Sequence, residues 1–366
     1  MAFIAGFMLI DAPASALNNA GTMEGARTGN IVAVKSIRTR QGVFPYVSAQ
    51  AFRNWLRTTL QETPELGWKA SPVLREAKIA YPDANPIDYW DDDLFGYMRA
   101  PGARADQKAV RDERLAKATM TETKTEITRV SPLRVGTIVS IAPVTPTDDF
   151  GVMSRQDGDP VPHEHQFYRT VLKGLFSLDL RSCGTFLYKD KAGYRNLDEI
   201  RVERARSEKL EEMPEAKAFR LPLGERTKRI GALLRGMAVI SGGAKLALHY
   251  TDVTPVVIFA AVIRGGNNPF HYLIEADARG LPRVNADAFH ESLRVWGDQL
   301  LSGLYVGWVA GFHDAQATAM NDLLAEAAKG KVGANPVQST TGHPRMVLET
   351  LASDIEKKAA AQGWME

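Results

Sequence analysis

The pattern of hydrophobic and polar positions divides the chain into short apolar runs and one clear amphipathic helix. Apolar runs that predict buried strands occur at 2–10, 31–40, 130–142 and 254–263, with one or two further strands within 163–188. Over residues 49–60 the spacing becomes helical, and one face collects the apolar residues Phe52, Trp55, Leu56 and Leu60. Ser48 is placed to cap this helix, and Pro64 ends it.

The remaining segments complete the order of elements. Residues 63–129 begin with Pro, Gly and Trp and end in a charged stretch, which indicates an insertion. Residues 189–229 are densely charged and predict a protruding arm with little core of its own. In residues 285–330 and 344–362 the apolar positions recur with the period of an α-helix, which predicts helices there. The stretch "ERTKRIGALLRGMAVISGG" predicts a second helix, which ends near Gly242 and Gly243 and precedes the strand at 254–263. We therefore expect an α+β fold with a β-α-β-β-α-β core of the ferredoxin-like or RNA-recognition type.

Composition narrows the class of protein. The chain has 366 residues, of which 45% are hydrophobic, enough for one large domain with insertions or for two domains. The lone Cys183 excludes an internal disulfide and argues against a cysteine-based zinc site. The single cysteine fits a reducing cytoplasm, which is the location we expect. No apolar run is long enough to span a bilayer, and "FIAGFMLI" alternates like a strand and not like the apolar core of a secretory signal, so we expect no membrane partner. Phosphate-loop, HExxH, CxxC and dinucleotide motifs are absent from the sequence, which leaves no catalytic residue or cofactor to predict.

Charge is unevenly distributed, although the net charge is only +2. From residue 25 to residue 57 there is no acid, and the cations are Arg27, Lys35, Arg38, Arg40, Arg53 and Arg57. Arg53 and Arg57 share the polar helical face with Gln50 and Asn54. Guanidinium groups bind phosphate bidentately, amides reach sugar or base edges, and a helix N-terminus attracts anions. A merely solvated face is the alternative, but the absence of an acid favours a groove for a phosphodiester backbone.

Two other groups of polar residues each have two explanations. His163 and His165 would point to one face of a strand, but no third metal ligand is evident in the sequence, so we expect polar groove residues and no metal. The carboxylates of "DYWDDDLFGYM" could hold magnesium. They adjoin Trp90 and Phe95 at a predicted helix start, however, so a helix cap or a subunit contact is favoured.

Six stretches, in this order, carry a resemblance to a known family: "LNNAG", "VAVKSIRTRQGVFPYVSAQAFRNWLR", "DLFGYM", "RVSPLRVGTIVSIAP", "HQFYRTVLKGLFSLDL" and "HYTDVTPVVIFAAVIRGGNNPF". Together they resemble the DevR-like backbone (Cas7-type) subunits of type I, I-B-like, CRISPR Cascade complexes. The resemblance runs from about residue 2 to residue 275 and is most specific around "PYVSAQAFRNWLR".

The resemblance implies a hand-shaped protein. A palm with a modified RNA-recognition fold would comprise 1–62, 130–188 and 226–285, with a helical finger insertion at 63–129, a thumb at 189–225 and C-terminal helices at 286–366. The family is non-catalytic and forms a helical filament along the crRNA. Each copy grips the phosphate backbone and leaves bases free to pair with the target DNA strand. The implied partners are further copies of the chain and Cas5-, Cas6- and large-subunit types.

The resemblance also implies particular RNA contacts. The predicted RNA-binding residues are Asn18, Asn19, Arg27, Lys35, Arg38, Ser48, Gln50, Arg53, Arg57, His165 and Gln166. Two other functions stay open. Related type III subunits cut RNA with an aspartate of the palm loop, for which this chain offers only Asp11 and Glu24. The DevR name suggests a DNA-binding autoregulator, but no helix-turn-helix is evident.

Overall fold

The computed structural model describes residues 1–22, 31–76, 79–101, 120–155, 157–332 and 335–366. The helices of these residues are α1 (Ala49–Glu62), α2 (Trp90–Phe95), α3 (Glu199–Ser207), α4 (Leu223–Ala238), α5 (Ala286–Trp296), α6 (Asp314–Ala328) and α7 (Pro344–Lys358). The strands are β1 (Ala2–Ser15), β2 (Asn19–Thr22), β3 (Ile31–Val34), β4 (Ser36–Thr39), β5 (Gly42–Val47), β6 (Val73–Glu76), β7 (Ile79–Pro82), β8 (Tyr97–Arg99), β9 (Ile127–Arg129), β10 (Leu133–Val135), β11 (Ile138–Ser140), β12 (Thr147–Met153), β13 (Val161–Asp179), β14 (Thr185–Leu187), β15 (Glu211–Met213), β16 (Ala218–Arg220), β17 (Val257–Arg264), β18 (Ile274–Ala276), β19 (Pro282–Val284), β20 (Leu304–Trp308) and β21 (Ser339–Gly342).

Strand β1 lies at the centre of a large mixed sheet. It pairs antiparallel with β13 on one side and with β17 on the other. Strand β13 in turn pairs antiparallel with β11. The local order is therefore β17-β1-β13-β11, in which β1 and β11 run parallel with α1 between them in the chain. Strands β13 and β17 also run parallel, with α4 between them. The fold is α+β, as predicted.

Side chains of β1 alternate between two hydrophobic cores. Ile4, Met8 and Ile10 belong to a core that includes residues of α1, α4 and α7. Phe7 and Leu9 belong to a second core that includes residues of β17, α5 and α6. Because both faces of β1 are covered, nearly all of its residues are apolar. Such a continuous apolar run is easy to recognise as a strand in the sequence.

The arm at 189–229 differs from the prediction. Strands β15 and β16 of the arm form a three-stranded sheet with β14, which directly precedes the arm. Ala205 and Phe219 of the arm share a small core with Phe186 of β14 and Ile87 of the insertion. Arg201 is fully buried and donates to the main-chain oxygens of Asp83 and Ala84 in the insertion. The arm therefore has a core and packs on the insertion. The expectation of little core was wrong because the charges were counted as solvated, although several of them are buried and paired.

The C-terminal region also differs from the all-helical prediction. Helices α5, α6 and α7 are present, but β20 pairs antiparallel with β17, and β21 pairs parallel with β20. These strands extend one edge of the central sheet, and β5 and β4 form the opposite edge. The predicted strand at 31–40 is likewise divided at Lys35 into β3 and β4. None of the helices in the described ranges combines the length and the apolar character that crossing a bilayer requires.

Helix α2 anchors the insertion through its acidic residues. Asp91 accepts a hydrogen bond from Trp68 (2.6 Å), and Asp92 accepts one from Ser71 (2.8 Å). Asp93 is fully buried and forms ion pairs with Arg129 (2.5 Å) and Arg229 (2.9 Å). Burial raises the pKa of Asp92 to about 7. The three carboxylates have different protein partners, which supports an anchoring role.

Candidate nucleic-acid interface

The N-terminus of α1 is fixed by the loop that follows β1. Ser48 caps the helix by accepting a hydrogen bond from the Ala51 amide (3.2 Å), as predicted. The side-chain oxygen of Asn18 accepts from the Ser48 amide (3.0 Å), and the main-chain oxygen of Asn18 accepts from the Lys35 amide (2.8 Å). Three predicted site residues are therefore brought together by direct hydrogen bonds, although they are far apart in sequence.

A second group of predicted residues lies where β2, β3 and β13 meet. Asn19 pairs with Val34 across β2 and β3, and its side-chain oxygen is buried with no hydrogen-bond partner in the described ranges. Gln166 accepts from the Val34 amide (3.3 Å) and donates to Asp148 (2.9 Å). The two groups are adjacent because Val34 directly precedes Lys35. Arg27 falls outside the described residues.

Two predicted cations at this place have no partner among the described residues. Arg38 is exposed on β4, and Lys35, which is half-buried, precedes it. Within the ranges that the structure describes, neither side chain forms a hydrogen bond or an ion pair. Gln50 is exposed in the first turn of α1. These side chains form a polar edge, defined here as Asn18, Lys35, Arg38, Ser48 and Gln50, whose cations are available for a ligand.

Arg53 and Arg57 have a different environment from the one that the sequence predicts. Arg53 donates to the main-chain oxygens of Phe95 (2.5 Å) and Leu133 (2.7 Å) and to the hydroxyl of Ser131 (3.1 Å). The Arg57 guanidinium lies 4.4 Å from the centre of the Phe95 ring. Burial, with Arg57 beside it, lowers the pKa of Arg53 to about 10.

The sequence argument that no acid lies near this helical face was therefore incomplete. Burial lowers the pKa of Arg57, and the nearby Asp91 and Asp92 of α2 act against that effect. The acids that the helix lacks in sequence are supplied by another segment. Arg53 and Arg57 hold α1 against the turn after α2, and whether they also bind RNA stays a prediction.

Arg53→Ala is expected to lower the free energy of unfolding by about 2–3 kcal/mol, because a charged donor is lost and main-chain acceptors lose their partner. The neighbouring Asn54→Ala is a matched control, since Asn54 is exposed on the same helix, and its effect should stay within about 0.5 kcal/mol. Urea unfolding of both variants measures the difference. Equal midpoints for the two variants would contradict the structural role of Arg53.

His165 belongs to a cluster that the sequence revealed only in part. The rings of His163 and His165 lie on one face and stack at 6.2 Å, as their spacing predicts. Asp149 is the register partner of His165 across β12 and β13, and its Oδ2 lies 3.2 Å from Nε2 of His165. His249 brings a second imidazole, with 4.9 Å between the ring centres. Because a third potential ligand is present, the reason given for expecting no metal does not hold.

Asp11, the predicted residue of the ribonuclease alternative, lies on β1 opposite Val171. Burial raises the pKa of its carboxyl, and the charges of Arg169 and His313 act against this effect. Potential metal-ligand clusters in the described ranges consist of the group Asp149, His165 and His249, which does not include Asp11.

Comparison with known proteins reveals a shared fold. No protein-family model matches the chain, and no curated protein matches it by sequence. Among solved structures, it is similar to a chain of a CRISPR RNA-guided surveillance complex, with a TM-score of 0.50, 11% identity, and coverage of 96% of this chain and 98% of that one. It is also similar to a chain of a CRISPR RNA-guided surveillance complex, pre-nicking, with a TM-score of 0.50, 12% identity, and coverage of 96% and 99%.

Proposed function

We propose that this chain is a non-catalytic backbone subunit of a CRISPR RNA-guided surveillance complex. The observation that carries the proposal is the extent of the fold similarity, which spans 96% of this chain and at least 98% of chains from such complexes. A common β-α-β-β-α-β core would account for a smaller share of both chains. The similarity therefore supports a subunit of this kind of assembly more strongly than it supports a generic RNA-binding domain.

The strand order supports a palm of the RNA-recognition type. In β17-β1-β13-β11 the fourth, first, third and second strands of a β-α-β-β-α-β unit lie side by side, with α1 and α4 as the two crossover helices. Such a split β-α-β arrangement is common to ferredoxin-like and RNA-recognition folds. Around Phe7 and Leu9 the sheet face opposite α1 is covered by the second core. In this proposal the RNA therefore contacts the edge beside β4 and the α1 N-terminus.

The polar edge is the proposed contact with the crRNA backbone. Lys35 and Arg38 supply cations that have no partner in the part of the chain that the structure describes, and Asn18, Ser48 and Gln50 supply polar groups around the helix N-terminus. Phosphate contacts of this type bind without reading sequence, so guide bases would remain free to pair with target DNA. Arg53 and Arg57 act in this proposal chiefly as positioning residues that fix α1.

Purification of the assembly tests the proposal directly. The chain would be tagged in cells that express the companion subunits and a CRISPR array, and the mass and bound RNA of the product would be determined. We expect several copies of the chain on one short RNA that carries array sequence. The same tag on the chain in cells without an array is the control, and recovery of an RNA-free monomer from both cells would refute the proposal.

The same preparation distinguishes the ribonuclease alternative. Incubation with complementary RNA and Mg²⁺ should leave the RNA intact. Cleavage that disappears in Asp11→Ala would favour the enzyme over the scaffold.

A further inference from the structure

A mixed cluster of imidazole and carboxylate groups lies beside the β12–β13 hairpin. It consists of Asp149 on β12, His165 on β13 and His249 in the turn after α4, and one ligand atom from each lies within 4.8 Å of the others. The turn is shaped by Lys245, whose main-chain oxygen accepts from the His249 amide (2.9 Å). The Ser15 hydroxyl lies 2.6 Å from that of Thr251 and ties the turn to β1. Three separate elements therefore meet at this cluster.

Three ring nitrogens of the cluster are buried and have no hydrogen-bond partner among the residues that the structure describes. His165 is only 5% exposed, and neither of its ring nitrogens has a partner within the described ranges; the same holds for Nε2 of the half-buried His249. Asp149 lies within ion-pair distance of His165, but the pair does not have hydrogen-bond geometry. Each buried polar group without a partner lowers the stability of the folded protein by about 1–3 kcal/mol. Such a group is therefore expected to bind a water molecule or an ion. Several in one place point to a shared ligand.

We propose that Asp149, His165 and His249 bind one Zn²⁺ ion. Two imidazoles and a carboxylate form a ligand set typical of zinc, whereas Mg²⁺ and Ca²⁺ prefer oxygen ligands. The 3.2 Å between the Asp149 and His165 ligand atoms is close to the roughly 3.3 Å that tetrahedral bonds of about 2.0–2.1 Å require. The Asp149 side chain is 51% exposed, so water can reach the fourth position.

The charges around the cluster are compatible with a metal. Burial lowers the pKa of His165, and the nearby Lys245 adds to the effect while Asp149 opposes it. Burial also lowers the pKa of Lys245. Neutral imidazole is the form that binds a metal. A bound ion would cross-link the hairpin to the turn after α4 and hold β13 beside the polar edge.

Zinc titration of the purified full-length chain tests this site. After removal of metal with a chelator, calorimetry should give one Zn²⁺ per chain, and zinc should raise the melting temperature. Asp149→Asn and His249→Gln should each weaken binding by more than about 100-fold, because even groups that merely orient a ligand change affinity 10–100-fold. Both residues are less buried than His165, so these variants should fold. Cobalt substitution should give the absorption bands of a tetrahedral site in the parent chain but not in the variants.

His290→Gln is the matched control. His290 also lies beside a carboxylate, 3.3 Å from Glu326, but it is not part of a three-residue cluster in the described ranges. This variant should bind zinc like the parent chain. Absence of zinc binding by the parent chain, or equal affinity in Asp149→Asn, His249→Gln and His290→Gln, would overturn the proposal. Neither result would bear on crRNA binding, since the zinc site does not depend on that function.

Discussion

Asp93→Asn is expected to lower the free energy of unfolding by about 3–5 kcal/mol, which is the cost of leaving buried charges without a counter-ion. The Asp93 carboxylate is inaccessible to solvent and pairs with Arg129 and Arg229, which are themselves almost completely buried. It also accepts from the Gly184 amide at 3.0 Å. An asparagine keeps one acceptor oxygen but turns N–H groups toward donors. Urea unfolding measures the loss, and the soluble yield should fall with it.

Asp88→Asn is the control for this prediction. Asp88 belongs to the same acidic stretch, but its ion pair with Arg204 is partly exposed, with side-chain exposures of 36% and 44%. Ion pairs that are screened by solvent in this way contribute about 0–1 kcal/mol to the free energy of unfolding. A midpoint for Asp93→Asn as high as that of Asp88→Asn would show that the buried ion pairs do not hold the insertion to the body of the protein.

Under the proposed function, replacing both Lys35 and Arg38 by alanine is expected to weaken binding of the guide RNA about 100-fold at low salt. Each cation would lose a charge-assisted hydrogen bond worth about 1.5 kcal/mol, and 1.4 kcal/mol corresponds to about tenfold in affinity. The slope of log K against log salt should also fall by about 1.4, since each phosphate contact on a single strand contributes about 0.7. Neither side chain has a protein partner in the described ranges, so stability should be unchanged. Filter binding at several salt concentrations gives both quantities.

Arg345→Ala with Lys357→Ala removes the same charge elsewhere. Both residues are exposed on α7, which packs against α4 and β20, and β20 lies toward the sheet edge opposite β4. This control should keep the affinity and nearly the same salt slope. If the two double variants lose affinity equally, the polar edge is not the RNA contact and binding reflects only net charge.

Local patterns in the sequence predicted the elements whose burial follows a regular pattern along the chain. β1 and β17 are buried on both faces and read as apolar runs, and α1 has a continuous apolar stripe. The Ser48 cap was predictable as well, because a cap joins residues close together in the chain. The division of 31–40 at Lys35 was not predictable, because it depends on hydrogen bonds to Asn18 and Tyr46.

The tertiary structure alone decided which charged residues are free. Arg53 and Arg38 look alike in the sequence, yet Arg53 is satisfied by main-chain oxygens of Phe95 and Leu133, whereas Arg38 is exposed. Main-chain oxygens are present in every residue, so their positions leave no signature in the sequence. Similarly, the sequence shows that His163 and His165 lie on one face of a strand. It does not show that strand register places Asp149 beside His165, or that a distant turn brings His249 there. Local order follows from residue type and spacing, whereas the partner of a charge depends on how distant segments pack.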